Sequence, residues 1–140
     1  MNAEIITDLI KQATDAREKS HSPYSSFAVG AALLCSDGKV YTGANIEVSS
    51  HSPTMCAERV AFARAVHEGR RDFVAIAVVG GPRGQDVDFL CPPCGVCRQV
   101  MREFCRDDFV IYMVGAGDSY EEHTLAEILP FSFSASEHMR

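Results

Sequence analysis

Two short cysteine-containing segments constrain this chain more than any other feature of its sequence. The first contains Cys56 and, two residues later, Glu58; the second contains Cys94 and Cys97. Three thiolates at these spacings can hold a zinc ion and leave its fourth position open for water, with a carboxylate beside it to carry protons. Any fold of this chain must therefore bring together two segments that are distant in the sequence.

Length and charge narrow the class of protein. A chain of 140 residues favours a single domain over 1–140, large enough to bury a core without disulfides. Thirteen Lys and Arg against nineteen Asp and Glu give a net charge of −6, which disfavours polymeric nucleic acid as a partner. The sequence has neither a secretion signal nor a long apolar run. We therefore expect a cytoplasmic protein without membrane association.

The six cysteines are expected to be reduced thiols or metal ligands. Disulfide frameworks belong to secreted chains, and this sequence has no secretion signal. Cys35 and Cys105 lie in apolar runs, so we expect them to be small buried hydrophobic residues.

Hydrophobic periodicity predicts the elements of the first half of the chain. Apolar residues at helical spacing predict a helix over 3–19, with Asn2 as its N-cap. Apolar runs on both sides of a Ser-Asp-Gly turn signal predict a β-hairpin of 27–35 and 39–47.

A second helix and a buried strand follow the hairpin. Thr54 is the expected N-cap of a helix that closes at Gly69. This helix is apolar on nearly every face, which predicts that it lies between the sheet and another layer. The continuous apolar run 73–79 predicts a strand covered on both faces, and 80–88 is expected to be a loop. Pro93 suits the first turn of a third helix.

The last part of the chain predicts strands over 109–114 and 120–124 and a short helix over 125–129. The resulting order, α-β-β-α-β-α-β-β-α, indicates an α/β fold with three α/β/α layers around a mixed five-stranded sheet. Its first strand pair is antiparallel, and helical crossovers join later strands.

The predicted helix starts place the three cysteines of the two segments at helix N-termini. Three thiolates on Zn²⁺ carry a net charge of −1, which the helix N-termini and Arg59 can offset. Glu58 can take a proton from water and deliver it to a substrate nitrogen. Because an unpaired buried carboxylate costs several kcal/mol, a purely structural pairing of Glu58 with Arg98 is the alternative.

These segments resemble the cytidine deaminase family, of the small, three-cysteine, homotetrameric type. The resemblance rests on Cys56-Ala57-Glu58-Arg59 and on the segment 93–99, Pro-Cys-Gly-Val-Cys-Arg-Gln. Segment 23–34 resembles the first strand of the family, 45–47 its ribose-binding segment and 129–133 its C-terminal signature. The resemblance therefore covers nearly the whole chain.

The resemblance implies a function and an assembly. The function is zinc-dependent hydrolytic deamination of cytidine and 2′-deoxycytidine to uridine and 2′-deoxyuridine, with release of ammonia, in pyrimidine salvage. One Zn²⁺ per chain and a homotetramer with its sites at subunit interfaces are implied as well.

The resemblance also implies roles for individual residues. Glu58 would be the catalytic proton carrier, and Arg59 would stabilise the thiolates. The zinc ligands would be Cys56, Cys94 and Cys97. The substrate-binding residues would be Phe27, Val29, Asn45, Glu47, Ala57, His51 and, from a neighbouring subunit, Phe133.

Two departures from the family pattern leave alternatives open. The segment 48–51, Val-Ser-Ser-His, alters the expected pocket lining and favours a second enzyme hypothesis, deamination of a modified nucleoside or of an antibiotic such as blasticidin S. Cys91 precedes the second cysteine pair and permits, on spacing alone, a closed Cys₄ site without room for water. The third hypothesis is thus a non-catalytic protein with structural zinc.

Overall fold

The computed structural model describes residues 1–139, and these form a five-stranded sheet. Its strands are β1 (Phe27–Cys35), β2 (Val40–Ala44), β3 (Phe73–Pro82), β4 (Val110–Val114) and β5 (Tyr120–Thr124). They are arranged in the order β2-β1-β3-β4-β5. The β3/β4 pair is parallel, and the other pairs are antiparallel. The predicted mixed five-stranded sheet is confirmed.

Helices cover this sheet. They are α1 (Ala3–Ala16), α2 (Ala57–His67), α3 (Gly95–Phe104), α4 (Leu125–Ile128) and α5 (Ala135–His138). The expected cap of α1 is present, because the Asn2 Oδ1 atom accepts a hydrogen bond of 2.9 Å from the Ile5 N–H. A short 3₁₀ turn continues α1 to Lys19. The terminal helix α5 was not predicted.

The two faces of the sheet carry separate apolar clusters. On one face, Leu9 and Ala13 of α1 pack with Ala32 of β1 and Val79 of β3. On the other face, the core includes residues of α2, of α3 and of the alternate strand positions: Phe62, Met101, Leu33, Ile76 and Ile111. Since β3 contributes to both clusters, it is covered on both faces as predicted, and the three-layer α/β/α arrangement is confirmed.

The start of α2 differs from the sequence-based expectation. Cys56, not Thr54, is its N-cap. The preceding residues stay extended, because Met55 and Ile46 exchange two backbone hydrogen bonds of 2.9 Å. The Thr54 hydroxyl accepts from the Val48 N–H at 3.1 Å instead of capping the helix. The prediction of Thr54 as N-cap is therefore wrong, and the helix starts with a thiol at its end.

The faces of α2 also differ from the prediction. Residues such as Ala61 and Phe62 are buried, but Ala63 is exposed and Val60 is half-buried. The prediction that α2 is covered on nearly every face is thus wrong for the single chain. The predicted end is confirmed: Gly69 has φ +92°, and its N–H donates to the Val66 carbonyl at 3.0 Å.

Strand β3 continues to Pro82, three residues into the predicted 80–88 loop. It stays paired because β1 runs alongside it, with Phe27 opposite Pro82. Gly80 permits close packing at this end of the sheet, since a Cβ atom there would lie 2.6 Å from the Cys91 sulfur. Strand β2 ends earlier than the predicted 39–47 strand.

Pro93 lies before α3, not in its first turn as predicted, because Cys94 is the N-cap. Cys35 and Cys105 are buried in the apolar core, as expected. Within residues 1–139, no helix combines the length and apolarity needed to cross a membrane.

Candidate active site

The three predicted zinc-binding cysteines meet where α2 and α3 begin. Cys56 and Cys94 are the N-caps of the two helices, with extended backbone and no side-chain cap hydrogen bond. Cys97 lies in the first turn of α3 and is buried. The sulfur of Cys94 lies 3.9 Å from that of Cys56 and 3.5 Å from that of Cys97. The fold thus gathers three thiols from two distant segments into one cluster.

The spacing of this cluster fits zinc. The three sulfur atoms all lie within 4.8 Å of one another. Zn–S bonds of about 2.3 Å in a tetrahedron place two sulfurs about 3.8 Å apart, close to the observed separations. The cluster therefore fits one zinc ion per chain, with three thiolate ligands and a fourth position for a non-protein ligand.

Cys91 does not belong to the metal-ligand cluster, which contains Cys56, Cys94 and Cys97 among the described residues. Its sulfur packs instead against β3, beside Gly80. Burial raises the pKa of the Cys91 thiol to about 12. Because Cys91 lies outside the ligand cluster, the structure offers no support for the closed Cys₄ alternative.

The thiols of the cluster differ in pKa. Hydrogen bonding from Cys97, followed by that from Arg59, lowers the pKa of Cys56 to about 5. The pKa of Cys97 is raised by its hydrogen bond to Cys56 and by burial. Cys56 is therefore the first of the pair to ionise, as a thiolate ligand must.

Arg59 supplies positive charge to the cluster. Its Nη2 atom lies 3.6 Å from the Cys56 sulfur and also donates to the Thr54 carbonyl at 3.0 Å. The Cys56 thiolate raises the pKa of Arg59. The Arg59 Nε atom is buried and has no hydrogen-bond partner among residues 1–139. A guanidinium held in this way fits a site that accumulates negative charge on sulfur.

Glu58 projects into the same site from the first turn of α2. The residue is only 4% exposed. Burial, with a smaller contribution from the nearby Cys56 charge, raises the pKa of its carboxyl to about 7. Arg98, the predicted structural partner, donates instead to the carbonyls of Pro93 and Ile128, at 2.8 and 2.7 Å. A carboxyl that titrates near neutrality beside a metal site is suited to accept and return protons.

Phe27 and Val29 form one wall near this site, at the start of β1. Their side chains would lie 3.1 and 3.2 Å from a Cβ atom at Gly80. Ala57 is fully buried as the first residue of α2, where a backbone N–H has no partner within the helix. The structure thus places these three predicted residues at the starts of α2 and β1.

Asn45 and Glu47 follow β2 and are held by hydrogen bonds. Asn45 bonds to the backbone of Phe27 and Val29 through its side-chain amide. The Glu47 carboxylate accepts from the Ser25 hydroxyl and from the backbone N–H groups of residues 24 and 25. The Ser25 hydroxyl is the main cause that lowers the pKa of Glu47. Glu47 is therefore an ionised acceptor at neutral pH.

His51 and Phe133 lie in exposed segments. His51 has φ +62° and contacts the edge of the Tyr24 ring, at 5.6 Å between centroids. Phe133 is 56% exposed and stacks on His138 at 5.1 Å. Within residues 1–139, these ring contacts lead to Tyr24 and His138 and not to the cysteines of the cluster. Their predicted roles in substrate binding stay predictions.

A connection between α3 and the C-terminal segment was not predicted from the sequence. Arg98 joins the Pro93 carbonyl, next to Cys94, to the end of α4. Gln99 donates to the Phe133 carbonyl at 2.9 Å. The position of Arg98 directly after Cys97 was the available signal, but carbonyl partners leave no trace in a sequence. These contacts fix the second cysteine segment against the segment that carries Phe133.

Comparison with known proteins agrees with this site. Residues 3–113 match the family model described as the cytidine and deoxycytidylate deaminase zinc-binding region. A cytidine deaminase of Halalkalibacterium halodurans is 50% identical over 129 residues, which cover 92% of this chain and 94% of that protein. A cytidine deaminase of Sporosarcina psychrophila is 46% identical over 132 residues, or 94% of this chain and 93% of that protein.

A solved structure matches the fold as well. The crystal structure of a cytidine deaminase from Burkholderia pseudomallei superposes with a TM-score of 0.84 at 38% sequence identity. The match covers 95% of this chain and 100% of that one. The similarity therefore spans both the zinc-ligand segments and the sheet that supports them.

Proposed function

The chain belongs to the cytidine and deoxycytidylate deaminase family, and from that premise we propose that it converts cytidine and 2′-deoxycytidine hydrolytically to uridine and 2′-deoxyuridine. One observation carries the proposal: the buried Glu58 carboxyl lies beside a three-thiol cluster that has room for zinc and one further ligand. Pyrimidine salvage is the corresponding physiological role, with residues 1–140 acting as one zinc domain.

The three cysteines of the cluster would hold the zinc ion. Zinc bound there supplies a Lewis acid that makes water a nucleophile at neutral pH. The two helix N-termini and the Arg59 guanidinium offset the negative charge of the thiolates. Without that positive charge, three thiolates would weaken the ability of the metal to polarise its fourth ligand.

Glu58 would carry two protons in each turnover. It accepts the first from the attacking water and delivers it to N3 of the pyrimidine as the new C4–O bond forms. It then takes the proton of the new hydroxyl group on C4 and delivers it to the 4-amino group. The C4–N bond breaks, and ammonia leaves. A carboxyl with a pKa of about 7 can perform both transfers, because its protonated and ionised forms are both well populated at neutral pH.

Binding of the nucleoside would use the surroundings of the cluster. The Ala57 N–H, free at the start of α2, would donate to the pyrimidine carbonyl. Phe27 and Val29 would contact the base, and Asn45 and Glu47 would bind the sugar hydroxyls. The ionised Glu47 carboxylate supports this role, because it can accept hydrogen bonds from hydroxyl groups.

A homotetramer with sites at subunit interfaces is part of the proposal, with Phe133 stacking on the base in a neighbouring site and His51 contacting substrate. Its support is the apolar surface near the helix starts and at the C-terminal segment. Phe131 is fully exposed, and Val96 is 59% exposed. Exposed apolar patches are typical of interaction surfaces. In α2, Ala63 is exposed and Val60 is half-buried as well.

A cytoplasmic location is likewise proposed. All six cysteines are free, and three of them are suited to bind metal as thiolates. Reduced thiols persist in the cytosol and are oxidised in secretory compartments.

Turnover of purified, zinc-loaded protein tests the proposal. We expect absorbance loss with cytidine and 2′-deoxycytidine, with uridine or 2′-deoxyuridine and ammonia formed in equal amounts. Blasticidin S is assayed in parallel, because the 48–51 segment departs from the family pattern. Turnover of blasticidin S alone would replace the proposed substrate, and absence of turnover with stoichiometric zinc would contradict the proposed reaction.

A further inference from the structure

We propose that Ser20, Ser22 and Arg83 are positioning residues for the sugar subsite, an inference that rests on the function proposed above. They form a hydrogen-bonded relay that ends on the Asn45 side chain. The relay connects a charged surface loop to a residue that is only 8% exposed. None of the three has a role in the mechanism described so far.

The backbone of β1 fixes the orientation of the Asn45 amide. The Val29 N–H donates to Oδ1 at 3.0 Å, and Nδ2 donates to the Phe27 carbonyl at 2.9 Å. A backbone N–H can only donate and a carbonyl can only accept, so a flipped amide would lose both bonds. The Oδ1 atom therefore faces the interior of the chain.

Ser20 occupies the other acceptor position of this oxygen. Its Oγ atom lies 2.5 Å from Asn45 Oδ1 and 3.0 Å from the Ser22 hydroxyl oxygen. Since an amide oxygen can only accept, Ser20 donates its hydroxyl proton to Asn45 in the shorter contact, and the Ser22 oxygen is its second, longer acceptor contact.

Arg83 completes the relay. Its Nη2 atom donates to the Ser22 hydroxyl oxygen at 2.9 Å, and a guanidinium has no acceptor. Ser22 is fully buried, and its oxygen accepts from Arg83 and from the Ser20 hydroxyl away from water. The Ser22 oxygen thus holds the Arg83 guanidinium next to the serine that donates to Asn45.

The three hydrogen bonds of the Asn45 side chain decide what it can offer a ligand. Both lone pairs of Oδ1 are occupied, and one N–H is donated to Phe27. The remaining Nδ2–H is the free polar group of the side chain within the described structure. Asn45 therefore binds a sugar hydroxyl by donating to its oxygen, while the ionised Glu47 carboxylate is suited to accept its proton.

Arg83 is held by a hydrogen bond of its backbone as well as by that of its side chain. Its backbone N–H donates to the Ser26 carbonyl at 2.7 Å, which places the residue at the start of β1. Within residues 1–139, no carboxylate forms an ion pair with it. Its charge also acts on Glu47, so Ser20 is the cleaner position for a first test.

The test compares a ligand that has the 2′- and 3′-hydroxyls of the sugar with one that lacks both. KM and kcat for cytidine, and the Ki of 2′,3′-dideoxycytidine as a competitive inhibitor, are measured for the wild type and for Ser20→Ala. We expect the cytidine KM to rise about fivefold to tenfold, as for loss of one hydrogen bond, while kcat and the dideoxycytidine Ki change less than about twofold. Ser20→Thr, which keeps the hydroxyl, should restore KM.

Arg83→Ala is the second variant, because the side chain is exposed and its removal leaves the core intact. It should also raise the cytidine KM, and the effect of Ser20→Ala/Arg83→Ala should be smaller than the two single effects combined, since the relay is already cut and only the action of the Arg83 charge on Glu47 is left to lose. Ser36→Ala, an exposed serine outside the relay, is the control. Equal changes for cytidine and dideoxycytidine, or additive effects of the two variants, would overturn the proposal.

A measurement without substrate separates this proposal from the proposed function. In ¹H–¹⁵N spectra of the ligand-free protein, Ser20→Ala and Arg83→Ala should shift the same Asn45 side-chain amide signals, and Ser36→Ala should not. Unshifted Asn45 signals would refute the relay itself. Shifted signals in a protein that does not turn over cytidine would leave the relay standing and refute the function.

Discussion

Replacing Gly80 by alanine is expected to disturb the wall behind the active site. A Cβ atom at this position would lie 2.6 Å from the Cys91 sulfur, whereas ordinary contact begins at 3.4 Å. The Phe27 ring and the Val29 side chain, at 3.1 and 3.2 Å, leave little space for the methyl group to move away from the sulfur. The sulfur must therefore retreat by about 0.8 Å, or the end of β3 must shift.

The cost follows from this overpacking. Inserting a methyl group into a filled interior site typically costs about 1–3 kcal/mol in free energy of unfolding. Cys91→Ala removes the obstructing sulfur and by itself loses about 1 kcal/mol of apolar burial. In Gly80→Ala/Cys91→Ala the new methyl group occupies part of the vacated volume. We expect this double variant to be at least about 1 kcal/mol more stable than the sum of the single effects implies.

Denaturant unfolding of zinc-loaded protein at one fixed concentration measures this coupling. Cytidine KM is measured on the same samples, because displaced Phe27 and Val29 side chains should weaken base binding in Gly80→Ala and recover in the double variant. Additive stability effects, within about 0.5 kcal/mol, would refute the packing of Cys91 against Gly80.

Three further variants probe the metal site and the core. Cys94→Ala should abolish stoichiometric zinc binding, whereas Cys91→Ala should retain about one zinc per chain. Equal metal loss from both variants, measured by atomic absorption, would restore the Cys₄ alternative. Arg59→Ala should lose zinc to a chelator about 10–100-fold more readily than the wild type. Replacement of the exposed Arg71 by alanine is the control, and equal zinc retention by the two variants would contradict a role of Arg59 in the zinc site. Phe62→Ala should lower the free energy of unfolding by about 3–5 kcal/mol, because this 2%-exposed ring packs against three other phenylalanines. A loss below about 1 kcal/mol in denaturant unfolding would contradict that packing.

Periodicity and turn signals predicted most elements of the sheet, but not the position where α2 begins. Thr54 has the better capping side chain, and the sequence pattern alone favours it. The backbone pairing of Met55 with Ile46 keeps the chain extended for two more residues. That pairing joins two segments that are separate in the sequence, so it is invisible to a local rule.

The predicted start of the loop at residue 80 was wrong for a related reason, since β3 continues to Pro82. Gly80 and Gly81 are turn-forming residues in isolation. In the fold they stay in β3, because β1 pairs with them and because Cys91 fills the space beside Gly80. A glycine selected for close packing and a glycine selected for a turn give the same sequence signal.

The residues around the candidate site differ in how well a sequence can reveal them. Cys56, Cys94 and Cys97 were identifiable from spacing and chemistry, and Glu58 from its charge on an apolar helix. The relay to Asn45 was not identifiable, because its serines and arginine are common surface residues 61 positions apart. Only the pairing of β1 with β3 brings them together.

Glu58→Gln, compared with the wild type for zinc content and cytidine turnover on the same samples, tests the central claim most directly. Glutamine keeps the size of the side chain but cannot accept and return a proton. We expect about one zinc per chain in both proteins, and a turnover number about 10²–10⁴-fold lower in the variant. Unchanged turnover with full zinc would contradict the assignment of Glu58 as the proton carrier and, with it, the account of how this site deaminates cytidine.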